Sequence, residues 1–121
     1  MTFTICSVNW KNGIVRPIEI NPGDLEIVRS ILSRFVPERE VRAFGSRVTG
    51  TAKEFSDLDL AVMGDTAISS SILADIKEAF NESPIPFKVD VVGWASTKEN
   101  FRRIIEKENV VIQVAKEILG E

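Results

Sequence analysis

The chain has 121 residues, with no histidine, no tyrosine and a single cysteine, Cys6. Each absence removes a class of chemistry. Without histidine there is no Ser-His-Asp triad, no Cys-His pair and none of the usual zinc sites. A lone cysteine builds no disulfide framework within the chain, which suits a reducing cytoplasm. Without tyrosine the protein cannot serve as its own tyrosine acceptor. No apolar run approaches the roughly 20 residues that a membrane span requires, and the N-terminus lacks the basic-then-apolar pattern of a secretion signal. Catalysis, if present, runs on carboxylates, hydroxyls, Lys, Arg and metal.

The formal net charge of −3 argues against a broad electrostatic hold on nucleic acid or an anionic membrane. Lys98, Arg102, Arg103 and Lys107 do cluster, but Glu99, Glu106 and Glu108 interleave them, the pattern of a solvated helix face. The length fits one domain with its own core.

Residues 1–20 read as an N-terminal hairpin or an extended arm. Asn12-Gly13 between two apolar runs is a hairpin signal, whereas Pro17 demotes the second run to an edge. Residues 21–121 read as one domain. Asn21 caps a helix, Pro22 suits its first position, and Leu25, Val28, Ile31, Leu32 and Phe35 form its apolar stripe up to Pro37. Val41–Phe44 is a short strand, and Leu58–Met63 a strand covered on both faces. Ser69 or Ser70 caps a second helix with Ile72, Leu73, Ile76, Ala79 and Phe80 inward. Phe87–Val92 alternates as a third strand. Ser96 and Glu99 form a capping box for a helix presenting Phe101, Ile104 and Ile105 to the core, and Val110 to Leu119 continues the apolar pattern. The order α-β-β-α-β-α predicts an α/β fold, a small sheet with helices packed against it.

One stretch carries chemistry. Gly45-Ser46 follows the first strand, where glycine permits a sharp turn and close ligand approach. Successive backbone N–H groups there form a nest for anions, with the Ser46 hydroxyl and the Arg47 cation beside them and Gly50 turning the loop back. Ten residues after Ser46 comes Asp57, then Asp59. Two residues apart on a strand, their carboxylates share a face, and a hard divalent cation removes their repulsion. Asp90 lies mid-strand in an apolar run, where a charge needs a partner or a metal. Lys88 is the bland partner. If the third strand neighbours the second, Asp90 joins Asp57 and Asp59, and such a trio can hold two magnesium ions for phosphoryl displacement. Trp94, just past that strand, is either a core aromatic or the floor of a base pocket.

Gly45-Ser46, ten residues, Asp57-Leu58-Asp59 and a later Asp90 together resemble the signature of the polymerase-β-like nucleotidyltransferase superfamily. Within it, Ala43 to Val62 and Lys88 to Gln113 resemble the minimal nucleotidyltransferase (MNT) domain proteins, over roughly residues 20–113. The resemblance implies a polymerase-β palm-like fold. It implies that Gly45 and Ser46 hold nucleotide phosphates, with Arg47 assisting, and that Asp57, Asp59 and Asp90 bind Mg2+. It further implies a partner, a helical HEPN-domain toxin that receives AMP from ATP on a tyrosine, with this chain as antitoxin. The alternative is a binding module that neutralises the partner by covering it through Val111 to Leu119, with the nucleotide site vestigial or regulatory. All five motif positions are filled, which favours catalysis. The oligomeric state stays open.

Overall fold

The computed structural model describes residues 5–9, 15–50 and 56–115. Near the N-terminus, β1 (Ile5–Asn9) and β2 (Val15–Glu19) pair antiparallel, with Ser7 opposite Pro17. The Asn12-Gly13 turn expected between them falls outside the described residues, as do Ile118 and Leu119 at the other end.

The helix α1 (Pro22–Phe35) starts and stops as its sequence dictates. The Asn21 side chain accepts the Gly23 N–H at 2.8 Å, supplying a first-turn donor with a partner it lacks within the helix. Pro37 keeps Val36 from continuing it, and the Val36 N–H closes the last turn on Leu32 O at 2.8 Å. Leu25, Val28, Ile31 and Leu32 are buried.

The main sheet has four strands in the order β5-β4-β3-β6. Here β3 is Val41–Phe44, β4 Leu58–Val62, β5 Val89–Gly93 and β6 Val110–Gln113. β3 runs antiparallel to both β4 and β6, whereas β4 and β5 are parallel. A parallel pair needs a crossover, and α3 (Ser70–Glu82) supplies it. Val110 to Gln113, which the sequence reading left without an element, is therefore the sheet's fourth strand. Val110, Val111 and Ile112 are buried rather than offered for docking.

The pleat divides the sheet into two unlike faces. Val41, Ala43, Leu58, Leu60, Val62, Val89 and Val91 join Leu25, Val28 and Leu32 of α1 and Ile76 and Phe80 of α3 in the principal core. The opposite face holds only a small cluster: Phe44, Ala61 and Ile105, edged by Met63, Val92 and Trp94. Ile105 belongs to α4 (Glu99–Lys107).

Two expectations about α4 are corrected. Ser96 is not its cap, because the chain leaves β5 directly into a short 3-10 turn, Trp94–Ser96, and the helix starts only at Glu99, with Lys98 at the cap position. Thr97 Oγ1 instead donates to Gly93 O at 2.7 Å. Nor do all three apolar residues face inward. Ile105 is fully buried, whereas Ile104 is 59% exposed and Phe101 37%. At 100° per residue, Ile104 rotates off the single seam by which α4 meets the sheet. On α3, Ile72 likewise sits at the surface while Ile76 and Phe80 fill the core. Among the described residues, no helix is long and apolar enough to cross a membrane.

Candidate active site

The carboxylates fall on the thinly covered face because of register. Leu58 and Leu60 are committed to the principal core, so Asp59 between them must point the other way. Across the parallel pair, Asp59 stands opposite Asp90. Across the antiparallel pair, it stands opposite Phe44. Asp57 lies just before β4 on an exposed stretch, two residues from Asp59.

Immediately after Phe44 the backbone bends at Gly45, with φ 85° and ψ −159°. That conformation disfavours any side chain. A side chain is also excluded sterically, because a Cβ on Gly45 would collide with the Asp59 carboxylate. The sequence signature thus has a direct physical meaning, since the glycine lets the main chain lie against the carboxylate. One helical turn follows, α2 (Ser46–Thr49). The Val48 and Thr49 N–H groups both donate to Gly45 O at 3.0 Å. The first N–H of such a turn precedes any intrahelical acceptor, so Ser46 presents its N–H and hydroxyl at the head of the turn. Gly50, at φ 89°, ends it in the left-handed region, its N–H reaching Ser46 O at 3.1 Å.

Electrostatics mark the same spot. The Asp59 carboxyl is raised from 3.8 to about 6, first by burial, then by the negative charges of Asp90 and Asp57. Lys88, the bland partner considered for Asp90, lies 3.7 Å from it, but both side chains are well exposed, and such pairs hold weakly. Among the described residues, no three acidic or thiol groups are drawn together tightly enough to form a ready-made ion cage. The donor set is nevertheless all carboxylate oxygen, the chemistry a hard cation such as Mg2+ takes.

Arg47 is not placed as expected. Its side chain is buried at 1% exposure. Its Nε donates to Ser56 O at 3.0 Å, and its guanidinium lies 4.0 Å over the Phe87 ring. The aromatic face and the carbonyl turn the cation inward, where it ties α2 to the start of β4 instead of reaching out to phosphate. Trp94 is not an open pocket floor either, since Arg102 covers its ring at 4.9 Å and donates to its carbonyl oxygen. The sequence reading missed the aromatic beside the carboxylates. Phe101 meets Phe44 edge-on, centroids 5.6 Å apart at 82°. The available signal was Phe44's position directly before Gly45.

Residues 28–118 match the family model described as Polymerase beta, Nucleotidyltransferase. The chain belongs to the polymerase beta nucleotidyltransferase family. Within this family, the probable protein adenylyltransferase MntA of Haemophilus influenzae is 48% identical over 96 residues, covering 79% of this chain and 84% of that protein. Among solved structures, a chain of a toxin–antitoxin crystal structure with AMP-PNP superposes with a TM-score of 0.64 at 19% identity, covering 74% of this chain and 72% of that chain. A chain of the complex between a tri-AMPylated Shewanella oneidensis HEPN toxin and an MNT antitoxin does so at 0.57 and 16%, over 74% and 68%. These likenesses bear out the nucleotidyltransferase fold.

Proposed function

We propose that the chain transfers AMP from ATP to a tyrosine hydroxyl of a helical HEPN-domain partner in the cytoplasm, and so acts as the antitoxin of the pair. The observation that carries this reading is the cross-strand pairing of Asp59 with Asp90 beside the main chain of Gly45. It sets the Gly45-Ser46 turn against two carboxylates. The H. influenzae relative is named for protein adenylyl transfer, and the Shewanella complex pairs an AMPylated HEPN toxin with an MNT antitoxin. The lack of tyrosine in this chain is compatible with an acceptor on another protein.

The Gly45-Ser46 turn binds the β- and γ-phosphates through Ser46 N–H and hydroxyl. Asp57, Asp59 and Asp90 would hold Mg2+, which supplies positive charge to a triphosphate that the carboxylates would otherwise repel. The tyrosine oxygen bonds to the α-phosphorus, the bond from that phosphorus to the bridging oxygen breaks, and pyrophosphate leaves. Asp90, at the side of the site away from Gly45, takes the tyrosine proton. The test is labelled ATP incubated with the purified pair. The wild-type chain labels the partner, and Asp57→Asn and Asp59→Asn do not while remaining folded. Undiminished labelling by both variants would sink the assignment.

A further inference from the structure

The turn that follows Gly45 has little to hold it in place by itself. α2 is a single turn of four residues, and isolated helices that short do not hold in water. Its N-cap, Gly45, gives no side-chain hydrogen bond, and a glycine at positive φ bounds the turn at each end. On the inner side, Arg47 is tied to Ser56 and Phe87, and Val48 packs against the principal core. Apart from β3, from which α2 continues, its main neighbour among the described elements is β2 of the N-terminal hairpin.

That hairpin precedes residue 28, where the match to the family model begins, yet it is built into the core. Ile18 in β2 and Ile20 just after it are both fully buried. Two residues apart in extended chain, they point the same way, and they share the principal core with Val48 of α2. The Ile20 N–H donates to Ile18 O at 3.0 Å, and Asn21 then caps α1, so the chain is pinned as soon as it leaves β2. Both hairpin strands also touch β6. The first residue of β6, Val110, stands opposite Ala43, one residue before the end of β3. The hairpin therefore lies against the place where β3 gives way to α2.

We propose that the N-terminal hairpin is a positioning element for the turn: Ile18 and Ile20 seat β2 against α2 and so hold the Ser46 N–H and hydroxyl toward the triphosphate. The proposal rests on the transfer reading. The test compares Ile18→Ala with Ile76→Ala, an equally buried isoleucine of α3 in the same core. Binding of inorganic tripolyphosphate with Mg2+ to the full chain is measured at a temperature where both variants are folded. Ile18→Ala is expected to weaken binding about tenfold, the scale of one hydrogen bond to a charged group, and Ile76→Ala to stay within about twofold of wild type. If Ile18→Ala does not fold, Ile18→Val and Ile76→Val, each smaller by one methylene, replace the pair, and amide hydrogen exchange is read. The Thr49 and Gly50 N–H groups, which bond Gly45 O and Ser46 O, are then expected to exchange faster in Ile18→Val than in Ile76→Val. Equal effects of the two positions in either measurement make the hairpin a core element only and overturn the proposal. A wild-type chain that binds ATP but not tripolyphosphate also overturns it. One that binds neither overturns the transfer reading, and the proposal with it.

Discussion

Asp59 of β4 and Asp90 of β5 stand opposite one another across a parallel strand pair. The arrangement is unfavourable to the fold by itself. With its carboxyl raised from 3.8 to about 6, Asp59 binds its proton more tightly folded than unfolded. Its contribution to stability is therefore complete below about pH 4 and is lost as pH rises through about 6. At pH 7 the ionised group is a net burden.

Replacing it with asparagine should then stabilise the protein while destroying transfer. Asp59→Asn is expected to gain about 1 kcal/mol at pH 7, after discounting the shift for solvent screening of a half-exposed group. The gain should disappear below pH 4. Thermal melts of both proteins across pH 3–8 give the answer, and a variant less stable than wild type at pH 7 contradicts it.

Magnesium should close that gap. A cation that binds only the folded site raises the melting temperature by mass action. Millimolar Mg2+ is expected to raise the wild-type midpoint by a few degrees, roughly 1 kcal/mol, and to leave Asp59→Asn unmoved. Equal shifts in both proteins would assign the effect to sites elsewhere.

The two positive-φ glycines of the turn separate strain from crowding. At Gly50 nothing stands within 4 Å of an added Cβ, so alanine costs backbone strain alone, about 1 kcal/mol. At Gly45 the Asp59 carboxylate adds a collision to the same strain. Gly45→Ala is expected to cost about 2–3 kcal/mol and to abolish labelling of the partner, with Gly50→Ala retaining most of it. Denaturant melts paired with the labelling assay distinguish the two.

Arg47 tests a correction. If its buried guanidinium ties the loop, Arg47→Met should cost about 3 kcal/mol, the scale of a broken buried polar anchor. At a temperature where the variant is folded, its affinity for ATP should stay within about threefold of wild type. A large loss of ATP affinity at unchanged stability would restore Arg47 as a phosphate ligand.

The geometry of the candidate site was legible because its grammar is local. A glycine before a one-turn helix and two aspartates at strand spacing are fixed by the pleat and by backbone sterics. Even the partnership with Asp90 followed once β5 was taken to neighbour β4. Arg47 was not legible, because its direction depends on Phe87 and Ser56, one far along the chain just before β5 and the other across the loop. Nor was β6, since Val110-Val111-Ile112 reads equally as the end of a buried helix, and only pairing with β3 decides it. The start of α4 failed for a related reason. The Ser96-to-Glu99 spacing fits a capping box, but the 3-10 turn leaving β5 takes up Ser96 first.

The last prediction concerns α4, which packs on Phe44 and Ala61. Ile105 is the one buried residue of α4, packed with Phe44 and Ala61. Ile104, beside it in sequence, is 59% exposed. Ile105→Ala should cost about 2–4 kcal/mol, the range for truncating a buried isoleucine, and Ile104→Ala less than about 0.5 kcal/mol, as for a surface change. Because Ile105 packs on Phe44, whose cross-strand neighbour is Asp59, loosening it should also raise the KM for ATP. Ile104→Ala should leave that KM unchanged. Equal destabilisation by the two variants would show that α4 sits on the sheet by both residues, and the single-seam packing would be wrong.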